Sequence, residues 1–232
     1  MVRIMTQILM NKGKILLLIP AVLTLVFATV ATMPIPAYAT SAVFECATST
    51  PNGSGTNNFA RSTLPNTMRV YSNQPSGSGS TTIFADAWIA DRITLSGSQS
   101  IKINSASALV NGQLVNNDAS TPVGKSFITV KAYLSIKRPD STACNNNTIK
   151  SPYSGSMTVL VTSQSRSTLG TSTINNTYTS GASSTVTPAA GTYYLVVVAT
   201  AGAETGPTTS NFGNSDTSTY KISNISINYT IT

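Results

Sequence analysis

The strongest constraint on this chain is a period of two. In residues 126–137, Ile128, Val130, Ala132, Leu134 and Ile136 fall on one face of an extended backbone, and Thr129, Lys131, Tyr133 and Ser135 on the other. That alternation specifies a half-buried strand and cannot sit on a helix. Residues 191–201 differ: Tyr193, Leu195 and Val197 alternate with Tyr194, Val196 and Val198, apolar on both faces. They predict a central strand covered on both sides. Met157, Val159 and Val161 mark another short strand. In residues 81–95, Ile83, Ala85, Ala87, Ile89 and Ile93 share one strand face, with Phe84, Asp86, Trp88 and Arg92 on the other.

Two local signals refine the pattern. Asn111-Gly112, between Ala108-Leu109-Val110 and Gln113-Leu114-Val115, has the chemistry of a type I′ hairpin turn. In the last strand, Ile222 keeps even phase while Ile225, Ile227, Tyr229 and Ile231 keep odd phase. A strand holding one face inward needs one extra residue there, so a β-bulge is expected at Ser223-Asn224. The strand itself is expected to pair within its own sandwich; donation to a neighbouring copy is the alternative. Residues 48–58 and 72–82, rich in Ser, Gly, Asn and Thr, read as surface loops. About nine short strands with frequent turn signals predict an all-β chain, an antiparallel sandwich of jelly-roll or immunoglobulin-like type.

The N-terminus reads as a signal peptide. Arg3, Lys12 and Lys14 precede an apolar run over residues 15–31, prolines 34 and 36 break it, and Ala37-Tyr38-Ala39 offers small residues to a signal peptidase. Cleavage is expected before Thr40, leaving residues 40–232 as one exported domain with no later membrane span; retention of the segment as an anchor is the rival. Losing those three basic residues lowers the formal net charge from +7 to +4. The remaining basic residues form no stripe, so nucleic acid is not an expected partner.

An exported chain with two cysteines predicts one disulfide, Cys46–Cys144. Closing so long a loop is worth ~4–5 kcal/mol in the chain-entropy model. Asn52, Asn146, Asn175, Asn224 and Asn228 head N-x-[ST] triplets and are candidate glycan attachment sites.

Composition narrows the chemistry. The chain has no histidine and only seven Asp and Glu. A serine nucleophile would need lysine as its base, and no partner motif accompanies Lys125 or Lys131. Asp86 and Asp91, the one close carboxylate pair, fall on opposite strand faces, which argues against glycoside hydrolysis. Glu204, Asn211, Asn214 and Asp216 could surround calcium, but such residues are also ordinary turn formers, and no metal or other cofactor is expected. Leu64-Pro65-Asn66-Thr67 approaches a sortase signal, but Met68 stands where glycine is required. Phe84 and Trp88 are candidate stacking rings for a sugar, if exposed; burial beneath a neighbouring loop is the alternative.

Thr187-Pro188-Ala189-Ala190-Gly191-Thr192-Tyr193-Tyr194-Leu195-Val196-Val197, with the terminal strand at Tyr220-Lys221-Ile222, resembles secreted jelly-roll and immunoglobulin-like accessory modules of the pre-peptidase C-terminal type, over about residues 187–231. The acidic loop many such modules use for calcium is missing. The resemblance implies an accessory, non-catalytic role. The expectation is a secreted or cell-surface structural or adhesive protein, not an enzyme, partnered by itself in an oligomer or filament. The alternative is a carbohydrate-binding module around Trp88, partnered by surface carbohydrate.

Overall fold

A computed structural model describes residues 38–52, 59–72, 83–116, 125–136, 149, 151–204 and 221–232. The fold is an all-β antiparallel sandwich. Its strands are β1 (Tyr38–Ser41), β2 (Cys46–Asn52), β3 (Phe59–Thr63), β4 (Thr67–Tyr71), β5 (Ile83–Leu95), β6 (Ile101–Asn116), β7 (Lys125–Ser135), β8 (Thr158–Arg166), β9 (Gly170–Thr179), β10 (Gly191–Glu204) and β11 (Lys221–Ile231). Eleven strands are present among the described residues where about nine were expected. Sheet A has the order β3-β4-β11-β6-β9, with β1 also on β11; sheet B has the order β2-β5-β10-β7-β8.

The alternating side chains explain the layering. Met68, Val70, Ile101, Ile103, Val110 and Ile227 from sheet A meet Ala87, Ile89, Ile128, Leu134, Leu195 and Val197 from sheet B in one continuous core. Each of the Ile, Leu, Val and Met side chains among them contributes ~1.5–3 kcal/mol on burial. β10 lies between β5 and β7, and both its faces are buried, as its double-sided apolar run requires.

β11 pairs within its own chain, between β6 on one edge and β4 and β1 on the other. The expected bulge is present. Ser223 faces Leu109 and Ser226 faces Ser107, so one residue of β11 is extra, and Asn224 takes φ 51°. Asparagine is among the few side chains tolerated in that left-handed region. A second shift lies between Asn228 and Tyr229, this time with the extra residue, Asn104, on β6. The two cancel, so the register leaves the pair as it entered. There Ser183 and Ser180 hydroxyls accept from the Ile103 and Ala106 amides at 3.0 and 2.8 Å. The Asn104 amide donates to Asn228 Oδ1 at 3.1 Å and Thr230 Oγ1 at 2.8 Å.

Several expectations need correction. Asn111-Gly112 is not a turn: β6 runs straight through it, with Asn111 opposite Asn175 and Gly112 opposite Ile174. Pairing on both edges of β6 outweighs the local turn chemistry. Residues 48–52 are not loop but part of β2, hydrogen-bonded to β5. Ile136 lies past the end of β7 and is 46% exposed. Apart from these, β1 (Tyr38–Ser41) spans the expected cleavage point, so a chain cut before Thr40 keeps only Thr40 and Ser41 of it. Leu64-Pro65-Asn66 is the turn of the β3–β4 hairpin, with a cis Leu64–Pro65 bond.

Candidate functional site

Sheet B carries a second apolar cluster on its outer face. Trp88, Ala90, Tyr133, Tyr194 and Val196 pack there with Cys46 and Ile149. The Tyr133 hydroxyl donates to the Ile149 carbonyl at 2.7 Å and pins that residue over the sheet. Burial drives the Tyr133 phenol far above its ordinary pKa; the nearby Asp86 charge adds to the shift, and a Trp88 side-chain hydrogen bond opposes it.

This cover corrects the reading of Trp88 as an exposed platform. Its parity is as expected, outward from the core, but it is 2% exposed because Ile149 and neighbouring rings close over it. Phe84, on the same face, is 37% exposed.

Beside the cluster lies a cleft of about 550 Å³. Cross-strand rows build it. Asp86, Thr200 and Thr129 form one row; Trp88, Val198 and Lys131 the next; Ala90, Val196 and Tyr133 a third. β10 therefore supplies a floor of small side chains, and β5 and β7 supply the walls. Glycine at position 202 is required by one wall: the Phe127 ring lies across it, and a Cβ there would meet Phe127 Cζ at 2.2 Å. Pro152 and Thr158 close the β8 side.

The cleft mixes charge with rings. Asp86 is 9% exposed, and Thr200 Oγ1 donates to its Oδ1 at 2.5 Å. Lys131 is exposed at the rim. A buried carboxylate is tolerable only with hydrogen-bond donors near it. Such a site can bind a hydroxyl-bearing ligand by hydrogen bonds and by ring contact.

Asp91 sits apart, with its carboxylate accepting from the Val43 amide at 3.2 Å. Burial raises its pKa, the Val43 bond lowers it, and the Glu45 charge raises it further. Glu45 pairs with Arg92 at 2.9 Å, a half-exposed contact of little stabilising value. Asp86 and Asp91 thus occupy opposite strand faces, as their odd spacing requires.

Asn175, Asn224 and Asn228 are exposed on the outer face of sheet A. That face is built of hydroxyl and amide rows: Asn175, Asn111 and Lys221 in one, Thr179, Ser107 and Ser226 in another, with Ser107 and Ser226 hydroxyls 2.8 Å apart. Its described charged residues, Arg61, Arg69, Lys102 and Lys221, are all basic. Cys46 is buried and is not a free thiol. Cys144, Asn146, Asn211, Asn214 and Asp216, the side chains of Asn52 and Glu204, and residues 1–37 lie outside the described residues. Among the described residues no three His, Cys, Asp or Glu side chains gather as a metal site, and no helix is long and apolar enough to cross a membrane.

The cleft was not foreseen. Its floor, Val198 and Thr200, is legible only once β10 is known to lie between β5 and β7. No protein-family model and no curated protein matches the chain.

Proposed function

We propose that the protein is exported and acts outside the cell or at its surface as a non-catalytic structural or adhesive module, a subunit of a filament or matrix. The observation that carries this reading is the outer face of sheet A. Ser, Thr and Asn side chains line it in cross-strand register, and its charged residues are of one sign. Such a surface hydrogen-bonds broadly to a polar partner. In this reading residues 1–39 are removed on export, Cys46 is bridged to Cys144, and exposed Asn175, Asn224 and Asn228 are available for glycans in a host that attaches them.

Electron microscopy of the purified exported protein, alone and with the cells it comes from, tests the proposal. Ordered assemblies or a coated cell surface are the expected result. Dispersed monomers that neither assemble nor adhere would overturn it. A second reading, carbohydrate binding, is favoured by the cleft, where rings, hydroxyls and a carboxylate converge.

A further inference from the structure

We propose that the cleft on the outer face of sheet B binds an acidic saccharide unit, a hexuronate, between Asp86 and Lys131. The inference rests on the carbohydrate reading and specifies the ligand class at the same site.

The argument begins with the two charges. Asp86 is nine-tenths buried in the cleft wall and held by Thr200. A carboxylate accepts from several donors at once, and neighbouring ring hydroxyls supply paired donors. Lys131 is exposed, and it makes no ion pair among the described residues. The two residues lie two strands and one side-chain row apart, which places their backbones ~12 Å from each other.

The lining selects between ligand classes. Val198 and Thr200 are small enough to let a ring reach the sheet, and Phe127, together with the largely buried Trp88 and Tyr133, gives the cleft apolar lining. A compact anion such as phosphate would be repelled by Asp86. A neutral sugar would leave Lys131 unused. A ring with hydroxyls at one end and a carboxylate at the other satisfies both. The volume, about 550 Å³, falls within the ~300–1,000 Å³ usual for small-ligand sites.

Trp88 is the single tryptophan of the chain, so tryptophan emission, excited apart from the nine tyrosines, reports on this wall alone. The purified protein is titrated with oligogalacturonate and oligoglucuronate and with neutral oligosaccharides of equal length. Calorimetry runs in parallel, and melting curves show that the variants fold. A saturable response to at least one uronate is expected, about tenfold tighter than to the neutral series. Lys131→Gln should remove that tenfold preference, while Asp86→Asn should weaken binding of both series. Equal binding of acidic and neutral sugars, or uronate binding indifferent to Lys131→Gln, would overturn the acidic ligand and leave the carbohydrate reading standing. No binding of either series, by fluorescence or heat, would overturn both.

Discussion

Tyr133 and Asp91 are both perturbed by burial, with opposite lessons. The Tyr133 ring and hydroxyl join the sheet to Ile149, so Tyr133→Phe removes one hydrogen bond and leaves a carbonyl without its donor. A loss of about 1–2 kcal/mol is expected in urea unfolding, with a red shift of Trp88 emission as the cover loosens. Asp91 is half-buried, and burial holds its carboxyl above the ordinary 3.8. The folded protein therefore binds this proton more tightly than the unfolded chain. Acidification through the raised value favours folding, and the gain is complete below the unfolded value. Asp91→Asn removes the charge and its penalty while keeping an acceptor for the Val43 amide. It should be as stable as the parent or more so near neutrality. Its stability relative to the parent should fall as pH drops from about 7 to about 4. Paired urea titrations at several pH values check this, since the other carboxylates cancel in the comparison. A difference that is flat or grows on acidification would show that burial does not dominate at Asp91.

At the scale of strands, the residues that announced themselves were those with hydropathic contrast. β5, β7 and β11 alternate Ile, Val, Leu and Ala with polar or aromatic side chains, β10 is apolar on both faces, and these patterns were readable before any pairing was known. β1, β2 and β9 were not. In β9 only Ile174 is buried, and the rest of Gly170–Thr179 is Ser, Thr, Asn, Gly and Tyr, a composition shared with loops. Such a strand exists because β6 offers it a row of backbone partners, and no local pattern records that. The same long-range pairing carried β6 through Asn111-Gly112. The candidate site shows the same division. The outward parity of Asp86 and Trp88 was legible, but the cover by Ile149 and the floor from β10 depend on segments far away in the chain. The bulge of β11 was legible because the phase slip lies within a single strand. Its backbone should discriminate sharply between substitutions. Asn224→Gly should be close to neutral, while Asn224→Val, forcing a β-branched residue to φ 51°, should cost about 1–2 kcal/mol by thermal or urea unfolding.

For the whole molecule, β11 joins most of sheet A: it touches β1, β4 and β6, and through Ile222, Ile225, Ile227 and Tyr229 it reaches the common core. The two shifts between β6 and β11 then bear on how such a gene can change length. Each extra residue is absorbed where it sits: deleting Asn224 alone sets Ile225 opposite Ala108, both already buried, and keeps every residue pair now seen between the strands, and deleting Asn104 alone keeps them likewise. Either deletion restores strict alternation in its own strand, so the buried side chains keep their face, whereas deleting Ser226 forces Ile225 or Ile227 outward. The Asn224 and Asn104 deletions should therefore fold to soluble protein where the Ser226 deletion yields aggregate, which expression and size-exclusion chromatography of the three variants would decide. The two insertions are thus independent of one another, and a lineage can lose either without the other.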